Sequence, residues 1–264
     1  MKVSLPMYFA GPGDTARLWL ALKAELINHE ITGAPEEIIW PDHLVEHWLD
    51  PDLLLSQTCS YPLMTVLKDK VQSVGYFHYD AEGCDGPFYC SMLVVRATDK
   101  RISLTDFRGA TVAYNSRDSH SGYNSLRALI APLSVGGQFF GRAVATGSHA
   151  RSIEFIRDNQ ADIAAIDCVT LALLQRHQPE AATGIRVIGQ TAPSPGLPLI
   201  TALSTSPDQL WMMRLALAHA CANPDQAAAL APFGITGFSV LPDSVCNVVA
   251  EMEQEAADYG YLQL

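Results

Sequence analysis

Between about residue 98 and residue 190 the chain alternates short apolar runs with amphipathic ones, and few folds accept that rhythm. Residues 111–114, 142–145, 162–166 and 185–188 read as strands, and 103–108, 122–130, 148–158 and 169–177 read as helices. Strand–helix alternation predicts an α/β layer, because each helix buries its apolar face on a sheet. Pro193-Ser194-Pro195-Gly196-Leu197-Pro198 ends the pattern. Proline fixes φ and offers no N–H to a helix, so this stretch is an extended connector.

The flanks are less regular. Residues 3–9 read as a strand, Gly11-Pro12-Gly13-Asp14 as a turn, and 15–29 as a helix whose Leu18, Trp19, Ala21, Leu22 and Leu26 share one face. Residues 37–40, 71–79 and 88–97 read as strands, 53–57 as a further apolar run, and 61–70 as a helix. After the connector come helical segments at 207–221, 224–230 and 244–259 with no strand between them. The simplest organisation is an α/β chain of two hinged domains, each a mixed sheet flanked by helices. The first takes residues 1–97 plus 198–264, and the second is inserted as 98–197.

Composition narrows the function. The 264 residues carry 17 Lys and Arg against 28 Asp and Glu, a net charge of −11. No cluster of basic residues is present to neutralise phosphates, which argues against nucleic acid and against anionic membrane surfaces. No apolar run approaches the ~20 residues that span a bilayer, so no membrane insertion is expected. Six cysteines lack any C-x-x-C pair and read as reduced thiols in or near the core. Pro6 interrupts the only apolar stretch at the amino terminus, so the sequence as written gives no export signal and the expected location is cytoplasmic.

Three segments sit where a strand ends and a helix begins. Asn115-Ser116-Arg117-Asp118-Ser119-His120-Ser121-Gly122-Tyr123-Asn124 is the richest. Small hydroxyl residues and glycine at a helix start present backbone N–H groups at the positive end of the dipole, which suits an anion. The same residues also suit a plain helix cap. Thr146-Gly147-Ser148-His149 repeats the arrangement one unit later, and Ala164-Ala165-Ile166-Asp167 places a carboxylate at a third strand end. Ligands of open α/β sheets bind outside such strand ends. Asp167 equally suits a cap for the helix after it.

Taken together, the Ser-x-Ser-Gly-Tyr start, the Gly-Ser-His start and the Ala-Ala-Ile-Asp strand resemble the periplasmic phosphate/phosphite/phosphonate substrate-binding proteins of ABC transporters, which have the type 2 periplasmic binding protein fold. The resemblance extends from Leu53-Leu54-Leu55-Ser56-Gln57-Thr58 through Gly86-Pro87-Phe88-Tyr89 to Pro195-Gly196-Leu197-Pro198. It implies a two-domain cleft closing on a small, phosphonate- or phosphate-like anion, an ABC permease as partner, no cofactor or metal, and a periplasmic location. The ligand-facing residues it implies are Tyr8, Thr58 and Tyr61 from the first domain. From the second they are Ser119, His120, Ser121, Gly122, Tyr123, Asn124, Ser148, His149 and Asp167.

Three rival readings arise. A cytosolic enzyme or sensor on the same fold would use His149, Asp167 and Cys59. Gly11-Pro12-Gly13-Asp14-Thr15-Ala16 fits a dinucleotide G-x-G-x-x-A, but Pro12 removes an amide and Glu36 and Glu37 precede the second strand. His43-Leu44-Val45-Glu46-His47 fits a zinc-protease pattern, but Pro41 and Pro51 bracket too short a helix.

Overall fold

The computed structural model describes all 264 residues. Ten strands form two five-stranded sheets: β1 (Lys2–Ser4), β2 (Leu53–Gln57), β3 (Val71–Tyr79), β4 (Ser91–Arg96), β5 (Thr111–Tyr114), β6 (Arg142–Ala145), β7 (Ile163–Asp167), β8 (Ile185–Gln190), β9 (Pro198–Ala202) and β10 (Ile235–Ser239). The main helices are α1 (Pro12–Asn28), α2 (Ser125–Ile130), α3 (His149–Arg157), α4 (Cys168–His177), α5 (Pro207–Ala222) and α6 (Asn247–Asp258).

The first compact unit comprises Met1–Asp80, Asp85–Phe88 and Pro195–Val245. Its sheet runs β1-β2-β9-β3-β10, parallel between β1 and β2 and antiparallel elsewhere. α1 buries Leu18, Trp19, Leu22 and Leu26, and α5 buries Met213, Ala216, Leu217 and Ala220. Trp48, Leu53, Leu67, Val71 and Ile200 form a second apolar cluster. Ser56 Oγ, Ser4 Oγ and His47 Nε2 form a buried polar chain with steps of 2.8 and 2.7 Å.

The second unit comprises Ala81–Cys84, Tyr89–Ser194 and Cys246–Leu264. Its sheet runs β6-β5-β7-β4-β8, with β5 parallel to β6 and β7, and β4 antiparallel to β7 and β8. β7 is buried along its whole length, as a strand covered on both faces must be. The amino ends of β5 and β7 are tied together: the Thr111 N–H donates to Asp162 Oδ2 at 2.9 Å, and Asp162 is paired with Arg96 and Arg101. The carboxyl ends of the same strands carry the polar segments singled out above.

Several expectations are corrected. The chain changes unit at Phe88/Tyr89, so the expected strand 88–97 breaks at Cys90 and β4 joins the second sheet. The third return helix, α6, also belongs to the second unit: Ala256 packs in a core with Val112, Leu126 and Ile163. The region after the connector is not purely helical, since β9 and β10 both pair with β3. The run 37–40 is no strand; Ile39 N–H reaches the Val3 carbonyl, and Ile39 and Trp40 are exposed. The helix expected over 61–70 covers only Ser60–Met64, because Thr65 leaves helical φ/ψ and Asp69 takes a φ of 60°. Pro12 and Gly13 begin α1, with proline in the first turn where its missing N–H costs nothing.

Candidate functional site

β5 ends at Tyr114, and four residues on the chain enters a wide first turn. Ser119 has extended φ/ψ and its Oγ accepts the Gly122 N–H at 3.1 Å, which is an N-cap. The Asn124 N–H donates to the Ser119 carbonyl at 3.1 Å, five residues back, so this turn is of π type before α2 continues it. All of His120, Ser121, Gly122, Tyr123 and Asn124 are buried.

The hydroxyls converge. Ser121 Oγ lies 3.0 Å from His149 Nε2 and 3.4 Å from Ser119 Oγ. From behind, Ser91 Oγ and Ser125 Oγ both donate to the Ser121 carbonyl at 2.9 Å. Gly122 is required by space: a Cβ there would stand 2.0 Å from Asn115 Oδ1 and 3.2 Å from His149 Cε1. Asn115 Oδ1 is itself buried without a hydrogen-bond partner.

Both imidazoles here are neutral at pH 7. Burial pushes His120 down to about 4. Burial also pushes His149 down to about 4, with the Ala165 carbonyl working the other way. His149 reaches solvent as a residue, but its ring Nδ1 is buried. The neutral His149 ring pairs with the Ser121 hydroxyl through Nε2, in the direction that its tautomer sets. Asn124 Nδ2 donates to the Val249 carbonyl at 2.9 Å and faces His120 Nδ1 at 3.3 Å, which places the His120 proton on Nε2.

The structure brings Ser119, Ser121, Gly122 and His149 together, and the other expected residues of this unit also make contacts within the protein. Tyr123 packs against Tyr114, ring centroids 5.0 Å apart, and its hydroxyl accepts the Leu264 N–H at 3.4 Å. Asn124 anchors α6. Ser148 caps α3 through the Arg151 N–H, and Asp167 caps α4 through the Thr170 N–H at 2.8 Å, the cap role that the sequence also allowed for Asp167.

In the first unit Thr58 and Tyr61 lie past the end of β2, and Tyr8 lies past the end of β1. Thr58 is buried and its N–H donates to the Pro198 carbonyl at 3.0 Å. Cys59 precedes the helix Ser60–Met64, and Tyr61 is partly exposed in its first turn. Tyr8 is buried with its ring edge-on to Tyr79 at 5.1 Å. Ser60, which lies within the 58–61 stretch, is fully buried with no hydrogen-bond partner for its Oγ. Ser91 and Asn115 were not among the expected residues. Asn115 opens a segment already notable for its polarity, whereas Ser91 carries no local signal.

A family profile described as ABC transporter, phosphonate, periplasmic substrate-binding protein matches residues 52–245. No curated protein matches the sequence. Among solved structures, the chain is similar to the binding protein component of an ABC phosphonate transporter from Pseudomonas aeruginosa, with TM-score 0.76, 18% identity, and 98% and 87% of the two chains covered. It is similar to PhnD1 from Prochlorococcus marinus in complex with methylphosphonate, with TM-score 0.76, 12% identity, and 97% and 98% covered. A Xanthomonas citri protein bound to chloride gives TM-score 0.73, 16% identity, and 98% of each chain covered.

Proposed function

The chain belongs to the ABC transporter phosphonate periplasmic substrate-binding protein family, and on that premise we propose that residues 119–122 with His149 anchor the oxyanion of a phosphonate-like solute. The observation that carries this is the buried, cross-bonded start of the helix at Ser119, Ser121 and Gly122. N–H and O–H donors fixed before the ligand arrives stabilise its charge without a lysine or arginine. This also fits a chain of net charge −11, since local donors act at contact distance while the global field is screened within about 10 Å. Asn115 would accept from a protonated oxygen of the ligand. Thr58, Ser60, Tyr61 and Tyr8 are the first unit's candidates for contact with the same solute, and an ABC permease would take the loaded protein as its partner. Family membership supports a periplasmic location, and no helix is long and apolar enough to cross a membrane.

The test is a thermal-shift panel of phosphate, phosphite, alkyl- and aminoalkylphosphonates, sulfonates and NAD(P). Ligand at 100 times its Kd adds about 2.7 kcal/mol, several degrees of Tm for a chain this long. A shift with phosphonates that Ser121→Ala removes is the expected result. Stabilisation by no oxyanion of the panel overturns the reading.

One observation favours a second, catalytic reading: a neutral imidazole 3.0 Å from a serine hydroxyl is the pairing that activates nucleophiles. Turnover of p-nitrophenyl phosphate that Ser121→Ala abolishes would establish it, and no turnover by the intact protein would end it.

A further inference from the structure

Three thiols meet at the amino end of α4, behind the oxyanion segment. Cys168 is the first residue of that helix and is buried. Its Sγ lies 3.5 Å from Cys84 Sγ. Cys90 sits one step beyond the Ser91–Asp167 pair of the β4–β7 ladder, where its carbonyl accepts the Cys168 N–H at 3.1 Å and its thiol bonds the Cys168 sulfur. The loop that carries Cys84 is pressed onto this pair. A Cβ on Gly83 would stand 2.6 Å from Cys90 Sγ and 2.8 Å from Met92 Cε, and its φ of +93° is one that side chains resist.

The three sulfurs are not equivalent. The thiols of Cys84 and Cys90 pull the Cys168 sulfur down to about 4 against its burial, favouring the thiolate, and the helix start adds to that effect. Cys84 and Cys90 are pushed up, first by that same bond and then by burial, with Asp167 adding to both. Cys84 is partly exposed, whereas Cys90 and Cys168 are buried.

We propose that Cys84 and Cys168 form a reversible disulfide that fastens the 81–84 loop to the amino end of α4. Exposure decides the order of events. Cys84 meets a small disulfide oxidant first: as its S–H proton passes to the neighbouring Cys168 sulfur, the Cys84 sulfur bonds one oxidant sulfur and expels the other as a thiolate, which then takes that proton and leaves Cys168 ionised. The Cys168 thiolate then attacks the Cys84 sulfur, breaking the mixed disulfide and releasing the second thiol, which takes up a proton. Two protein thiols are oxidised and one oxidant disulfide is reduced to two thiols. The sulfurs must close from 3.5 Å to about 2.05 Å, within reach of side-chain rotation on a loop.

The experiment uses oxidised glutathione as the oxidant. The folded protein is incubated with it, quenched in acid, alkylated after denaturation, and mapped by peptide mass spectrometry. The expected result is a Cys84–Cys168 linked peptide that dithiothreitol dissolves and that Cys84→Ser, a change at a partly exposed position, abolishes. Alkylation of both cysteines, a lasting glutathione adduct on Cys84 with Cys168 alkylated, or a link between any other pair overturns the proposal.

Discussion

Two short helices follow strand ends, one in each unit, and both begin with buried hydroxyl residues. The start at Ser119–Gly122 in the second unit is wired: Ser119 caps Gly122, Ser121 meets His149, and Ser91 and Ser125 hold the Ser121 carbonyl. The start at Ser60 in the first unit is not, since the Ser60 hydroxyl is fully buried and bonds to nothing in the protein. Leaving a buried donor unmade costs about 1–3 kcal/mol. One start is thus organised within the protein, while the other holds a buried polar group that the protein leaves unbonded.

The largest effect should come from disturbing the wired side. Gly122→Ala must displace Asn115 and crowd His149, costing about 3 kcal/mol of stability and roughly a hundredfold in anion affinity, read by urea unfolding and calorimetric titration. Retained affinity would show that the close packing there is structural only. Ser121→Ala should weaken anion binding by about 2 kcal/mol with little change in Tm.

The wired side also titrates, and residues 58–61 contain no histidine. His120 has its pKa depressed to about 4 from an ordinary 6.5, so the unfolded chain binds more protons between those values. Stability is therefore full above about pH 6.5 and declines as pH falls toward 4, by about 2 kcal/mol at pH 5 from this group. Chemical unfolding at pH 7.5 and pH 5 should show it, and His120→Gln should flatten that part of the profile. The smallest effect belongs to the other side. Ser60→Ala removes the unbonded hydroxyl and should raise stability by about 1 kcal/mol while lowering anion affinity about tenfold. A substitution that left both unchanged would remove Ser60 from the site and erase the contrast between the two starts.

The second sheet was legible because its inner strands are unbroken apolar runs: β7 reads Ile-Ala-Ala-Ile-Asp and is buried throughout. β10 was not, because Ile-Thr-Gly-Phe-Ser at a sheet edge has neither a full run nor a clean alternation. α6 was legible as a helix, yet its apolar face does not say which sheet it covers, so it was placed with the wrong unit. The site divides in the same way. Ser119, Ser121, Gly122 and His149 announce themselves by residue type at strand ends. Ser91 depends on β4 lying beside β7, and the isolation of the Ser60 hydroxyl depends on everything packed around it, neither of which is local information.

The tail of the chain has a consequence for how the molecule is made. Asn124 is held by the Val249 carbonyl and Arg127 by the Leu262 carbonyl, and Ala256 and Tyr261 complete the core beneath β5. A ribosome delivers residues in order, so β5 and its oxyanion segment emerge long before the groups that fix them. Until residues 246–264 arrive, the nascent second unit exposes the apolar surface of Val112, Leu126 and Ile163 that those residues cover. The segment at Ser119–Asn124 is early in translation, and it is finished only after residues 246–264 have been made.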